Sequence, residues 1–173
     1  MRVLITGARG SGKTTCCVRV VDLLRTGGIE PCGFITHKDK DRLIIEDVKT
    51  SETAILAEEK LGGGERVGKY LFSDEGIEFG VESLKRSGDV SFADEIGRLE
   101  LGERGFYRAF PILRERENTI VTCRDSFAEP VRSVLHLDNV AVELIDEKNR
   151  DSMPERVTLI YENASFHHGS RRH

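Results

Sequence analysis

Two hydrophobic rhythms alternate along this chain. Short β-branched runs occur at Arg2-Val3-Leu4-Ile5-Thr6, Thr119-Ile120-Val121-Thr122-Cys123 and Val140-Ala141-Val142-Glu143-Leu144-Ile145. Runs this apolar on both faces read as strands buried in a parallel sheet. Between them lie segments of helical period. In the first, Cys17, Val20, Val21 and Leu24 share a face, and Gly27-Gly28 followed by Pro31 ends it. Further helices are predicted from Ile77 to Arg86, about Arg104 to Arg116, near Pro130 to Leu135, and about Met153 to Asn163.

Two stretches break the alternation. Cys32-Gly33-Phe34-Ile35-Thr36 and Leu43-Ile44-Ile45-Glu46-Asp47-Val48 flank the charged turn His37-Lys38-Asp39-Lys40-Asp41, which predicts a β-hairpin. Gly62-Gly63-Gly64 marks a loop before one more short strand, Val67-Gly68-Lys69-Tyr70-Leu71-Phe72. Asp89-Val90-Ser91-Phe92-Ala93-Asp94-Glu95 is strand-like and ends in two carboxylates. The order of elements predicts an α/β fold, a three-layer doubly wound, mainly parallel sheet with a β-hairpin insertion. The expected organisation is one domain over 1–164 and a polar, basic tail over 165–173.

Composition narrows the picture. A chain of 173 residues can bury a core without disulfides or a structural metal. A net charge of −4 excludes a globally basic nucleic-acid binder and leaves only local basic patches, for which the sequence offers no further support. Cys16, Cys17, Cys32 and Cys123 lack metal-ligand spacing and read as small buried hydrophobes in a reducing compartment. With no apolar run of membrane length and no signal-peptide core, the expectation is a soluble cytoplasmic protein with no membrane contact.

The candidate chemistry lies between the first strand and the first helix. Gly7-Ala8-Arg9-Gly10-Ser11-Gly12-Lys13-Thr14 is a P-loop in the context that phosphate binding requires. Its glycines let backbone N–H groups face an anion, and the helix dipole adds to that field. Lys13 can reach the β- and γ-phosphates, the Thr14 hydroxyl can ligate Mg²⁺, and Thr15 can add a contact to the α-phosphate. Mg²⁺ bound to phosphates also wants a carboxylate across the sheet, and Asp94 stands at the right strand end. Glu95 beside it can take a proton from an attacking water, which biases the site toward hydrolysis. Arg124, past the strand 119–123, Arg98 and Arg9 are candidates to neutralise charge on the γ-phosphoryl group. Asn149-Arg150-Asp151 occupies a late loop suited to reading a base. It departs from the guanine-reading Asn-Lys-x-Asp pattern, so strong guanine selectivity is not expected.

Taken in order, the P-loop, Gly33-Phe34-Ile35-Thr36, Val67-Gly68-Lys69-Tyr70, the block Asp94-Glu95-Ile96-Gly97-Arg98-Leu99-Glu100-Leu101 and Asn149-Arg150-Asp151 resemble the THEP-type small P-loop nucleoside-triphosphatases. The resemblance runs from residue 1 to about 160, and the block from Asp94 to Leu101 is its most specific part. It implies slow Mg²⁺-dependent hydrolysis of nucleoside triphosphates, ATP and GTP among them, to diphosphate and phosphate on a nucleotide-kinase-like fold. It further implies that Gly7 to Thr14 bind phosphates and that Asp94, Glu95, Ile96, Gly97 and Arg98 form a second nucleotide-contacting stretch. Two alternatives stand beside it. A nucleotide or small-molecule kinase would need an arginine-rich lid, for which 124–132 offers only Arg124 and Arg132. A nucleotide-dependent switch would act on an RNA or protein partner that the sequence does not identify.

Overall fold

The structure, a computed structural model, describes residues 1–59 and 66–168. The expected loop at Gly62-Gly63-Gly64 and residues 169–173 of the expected tail lie outside the described residues. In chain order the elements are β1 (Arg2–Thr6), α1 (Lys13–Thr26), β2 (Pro31–Asp39), β3 (Arg42–Asp47), β4 (Thr53–Glu58), β5 (Arg66–Val67), β6 (Tyr70–Phe72), α2 (Asp74–Lys85) and β7 (Val90–Ala93). Then come α3 (Arg98–Leu101), a 3₁₀ turn (Gly105–Ala109), α4 (Phe110–Glu115), β8 (Thr119–Cys123), a 3₁₀ turn (Asp125–Phe127), α5 (Ala128–Val134), β9 (Val140–Leu144) and α6 (Met153–His168).

The runs 2–6 and 119–123 pair as buried parallel strands, whereas 140–145, expected to be buried as well, pairs in parallel as the edge strand and leaves Val142 and Leu144 exposed. The sheet runs β5-β6-β4-β3-β2-β7-β8-β1-β9, with β2, β7, β8, β1 and β9 mutually parallel. Successive side chains on a strand face opposite ways, and here both faces of the inner parallel strands are covered. Val3, Ile5, Phe92 and Ile120 enter one apolar layer with Val20, Leu24 and Val157 of α1 and α6. Leu4, Phe34, Ala93 and Val121 enter the other with Leu84 of α2 and Leu113 of α4. Each fully buried large side chain contributes about 1.5–3 kcal/mol, so this three-layer arrangement holds the strand ends firmly in register.

The expected hairpin insertion is larger than the sequence suggested. β2 pairs in parallel with β7 over Pro31–Phe34 and then antiparallel with β3 over Phe34–Asp39. β4, β6 and β5 continue the antiparallel wing. The charged segment expected as a turn is mostly strand, and only Lys40 and Asp41 turn, with Lys40 at φ 52°. The strand expected across 67–72 is a hairpin folded at Gly68-Lys69, where Gly68 takes φ 62°. The helix expected from Arg104 to Arg116 is broken at Pro111, which sits in the first turn of α4, where its missing N–H costs nothing. The strand before the two carboxylates ends at Ala93, so Asp94 and Glu95 stand on a turn. Among the described residues no helix is long and apolar enough to cross a membrane.

Candidate active site

Parallel strands deliver their carboxyl ends to one edge, and four of them build this site. β1 runs into the P-loop. Its first glycine is required by space: a Cβ on Gly7 would lie 2.5 Å from the Ile145 carbonyl oxygen and 2.6 Å from Ser11 Oγ. Gly10 and Gly12 take φ 77° and 104°, left-handed values that favour glycine, and Gly12 is the N-cap of α1. Lys13 is buried and folds back on the loop, its Nζ donating to the carbonyls of Gly7 at 2.9 Å and Ala8 at 2.8 Å. Ser11 Oγ is buried with no hydrogen-bond partner among the described residues. Ala8, Arg9 and Gly10 are exposed at the loop's crest, and Thr15 is exposed on the first turn of α1.

β7 delivers Asp94, which is almost fully buried and closely held. Its Oδ2 accepts from Thr14 Oγ1 at 2.9 Å, Thr36 Oγ1 at 3.0 Å and the Thr36 N–H at 3.2 Å. Its Oδ1 accepts from Thr122 Oγ1 at 2.5 Å. Thr122 also accepts from the Glu95 N–H at 2.8 Å, so one hydroxyl of β8 ties the two acidic residues together. Thr36 and Thr122 are absent from the site read in sequence. Their polar type at a strand's carboxyl end is the one local signal, and their partner lies 58 and 28 residues away.

Glu95 takes φ 60°, a conformation uncommon outside glycine. It stands exposed at the mouth of the site but crowded by protein. Lost hydration pushes its carboxyl above the ordinary glutamate value, the Asp94 charge adds to that, and Lys13, Arg124 and Arg9 partly offset both. Ile96 is buried, with its N–H on the Thr122 carbonyl at 2.9 Å. Gly97 is the N-cap of α3, its N–H donating to Glu100 Oε2 at 2.9 Å.

Lys13, Asp94 and Glu95 open into a cavity of about 390 Å³, with Arg9, Arg98 and Arg124 around them. Its far wall is the wing, which supplies Lys38, Lys69 and Tyr70. Asn149 and Arg150 are not brought to this cavity. They lie on the β9 side of the P-loop, where Arg150 Cβ would be 3.7 Å from a Cβ at Gly12. The Asn149 side chain is engaged within its own loop, donating to the Leu144 carbonyl at 2.8 Å and accepting from the Asp146 N–H at 2.9 Å.

A hard divalent cation fits the donors present. Mg²⁺ takes oxygen ligands and usually keeps several waters, bound by one or two protein oxygens plus phosphates. The Thr14 hydroxyl and Asp94 carboxylate meet at 2.9 Å, facing the loop that would hold those phosphates. Among the described residues no three His, Cys, Asp or Glu side chains gather as a self-sufficient metal centre.

Comparison with known proteins places the family and the fold. The model of a family described as NTPase matches residues 2–158. Proteins named nucleoside-triphosphatase THEP1 are similar over most of their length. That of Archaeoglobus fulgidus is 32% identical over 170 residues, covering 94% of this chain and 99% of the relative. That of Thermofilum pendens is 30% identical over 166 residues, covering 89% and 91%. The fold matches the crystal structure of THEP1 from Aquifex aeolicus with a TM-score of 0.75 at 22% identity, covering 91% of this chain and 96% of that one. It matches the solution structure of a human cancer-related nucleoside triphosphatase with a TM-score of 0.74, also at 22% identity, covering 92% and 96%.

Proposed function

We infer from one premise, that this chain belongs to the NTPase family, that it is a nucleoside-triphosphate phosphohydrolase releasing nucleoside diphosphate and phosphate with Mg²⁺ and little preference among bases. The observation that carries this reading is the meeting of Thr14, Asp94 and Glu95 beside Lys13 at one sheet edge. The triphosphate lies over the P-loop, received by the N–H groups that the first turn of α1 leaves unpaired. Lys13 exchanges its two loop carbonyls for phosphate oxygens, and Ser11 Oγ gains an acceptor. Thr14 and Asp94 would hold the cation, which would neutralise phosphate charge and orient the γ-group.

Glu95 is the general base. It takes a proton from water as the water oxygen bonds to the γ-phosphorus and the bond to the β-phosphate oxygen breaks, so the diphosphate leaves with that electron pair. Its raised carboxyl value makes it a better proton acceptor when ionised. Arg124 stabilises charge on the γ-oxygens, with Arg98 and Arg9 nearby. Arg150 in place of lysine and the early Asp151 in the loop 149–151 support a broad choice of base, since the guanine-reading pattern is not met. Free, buried Cys16, Cys17, Cys32 and Cys123 suit a reducing cytoplasm.

The test is to incubate the protein with Mg²⁺ and each of the four common ribonucleoside triphosphates and follow free phosphate. Release from several of them, lowered by about 100-fold or more in Lys13→Ala, is the expected result. Turnover that persists in Lys13→Ala overturns the reading.

A further inference from the structure

The cavity is too large and too differentiated for a water. A water needs about 30 Å³, whereas this space measures about 390 Å³, within the range of small-molecule sites. The triphosphate placed above explains only its near end. In the proposed placement the γ-group sits at Asp94 and Glu95 and the nucleoside trails over α1 toward the β9 side, where Arg150 lies near Gly12. The cavity extends the other way, past Glu95 into the wing. It therefore lies on the side from which the nucleophile attacks.

Its walls have two chemistries. Leu43, Leu56, Phe72, Phe106 and Phe127 make one part apolar and aromatic. Lys38 and Lys69 bring positive charge to the far part, beyond Lys13, Arg9, Arg98 and Arg124, and Lys69 is ion-paired there with Glu59. Tyr70 stands in the same wall with its hydroxyl buried and, among the described residues, unpartnered. Lys69 Nζ lies 5.4 Å from the Tyr70 ring centroid.

We propose that this cavity is a second-substrate subsite, which seats a small aromatic anion carrying a hydroxyl on the nucleophile side of the γ-phosphate. The ring lies among Phe127, Phe72 and Leu43, the anionic group pairs with Lys38, and the hydroxyl faces Glu95. In the transfer, that hydroxyl gives its proton to Glu95 and its oxygen bonds to the γ-phosphorus. The bond to the β-phosphate oxygen breaks and the nucleoside diphosphate leaves. The inference rests on the placement of the triphosphate proposed above, but its test does not require turnover.

The test fills the P-loop with Mg²⁺ and the non-hydrolysable analogue AMP-PNP, then titrates the fluorescent aromatic sulfonate 8-anilinonaphthalene-1-sulfonate. Saturable binding of one probe per chain is expected, weakened about tenfold in Lys38→Glu and in Phe127→Ala, with AMP-PNP affinity unchanged. Both residues are at least partly exposed, so these variants should fold, which thermal melting checks. A probe that binds only when the nucleotide is absent overturns the proposal, because the cavity then takes the nucleotide's own base. Equal binding by the variants overturns it too, as general apolar adhesion. In the transfer arm, γ-labelled ATP is supplied with hydroxynaphthalenesulfonates and nucleoside 5′-monophosphates. Label on an organic product is expected; label solely in inorganic phosphate from all of them overturns the acceptor role. Failure of AMP-PNP to bind at all would instead count against the hydrolase reading.

Discussion

The parallel half of the sheet and its antiparallel wing meet at one cavity, yet they are built on different principles. In the parallel half, β2, β7, β8 and β1 are covered on both faces where they run parallel, with β9 as a half-exposed edge, and their ends are fixed by two apolar layers. That rigidity is what phosphate chemistry needs, because Lys13, Thr14, Asp94 and Glu95 must hold their relative positions to act on one phosphorus. The wing is antiparallel and folds back on itself at turns at Lys40 and Gly68. It contributes charge and aromatic surface to the cavity and no group for the phosphoryl step. In the proposed reading, reaction and selection are divided between the two regions.

The sharpest break in that comparison is Glu95→Gln. If the reaction belongs to the parallel half, this change lowers phosphate release by about 10²–10⁴-fold while nucleotide binding persists. The sign of its stability effect is opposite to that of a structural carboxylate. Because the folded value is raised, the contribution of Glu95 to stability is full below its ordinary value of 4.5 and is lost as pH rises through the folded value. At neutral pH the glutamine variant should melt no lower than the parent. Activity of the parent should rise through that same raised value. A variant that hydrolyses normally, or melts well below the parent, contradicts the assignment.

Asp47 tests the wing. It is fully buried at the end of β3 and accepts from the N–H groups of Lys49 at 2.8 Å and Thr50 at 3.1 Å and from Arg86 Nε at 2.5 Å. Burial alone would push its carboxyl up, but Arg86, Thr50, Ser83 and Lys49 outweigh burial and hold it below the ordinary aspartate range. Its stabilisation is thus full above the ordinary value of 3.8 and fades as pH falls through the lower folded value. Asp47→Ala should cost about 1–3 kcal/mol in denaturant unfolding, through donors left unsatisfied. Phosphate release per folded molecule should stay near that of the parent. A loss of turnover without a loss of stability would mean that the wing takes part in the chemistry.

How far each region could be read in sequence follows the same division. The P-loop was legible because phosphate geometry imposes fixed spacing on consecutive residues, and the parallel strands because burial on both faces leaves continuous apolar runs. β4 was missed: Thr53-Ala54-Ile55-Leu56-Ala57-Glu58 is short and rich in alanine, which has no strand preference to announce it. The turn at Gly68-Lys69 was hidden because the β-branched and aromatic residues on either side read as one run. The threonines that hold Asp94 lie on other strands, and no local pattern reports a partnership that the sheet creates.

Thr36 belongs to both regions, which makes it the finest test of the division. It lies on β2 just past the point where pairing changes from β7 to β3, and it gives Asp94 two of its four hydrogen bonds, one through Oγ1 and one through the backbone N–H. Thr36→Val keeps the shape and the N–H and removes only the hydroxyl. Three bonds still hold Asp94, so the loss should be about 0.5–1.5 kcal/mol, or roughly two- to twelvefold in turnover. Thr36→Ser restores the hydroxyl and should recover most of that loss. If the wing merely frames the cavity, binding of an aromatic anion to the nucleotide-filled protein stays the same in both variants; if it changes in step with turnover, the strand shared by the two regions couples selection to reaction.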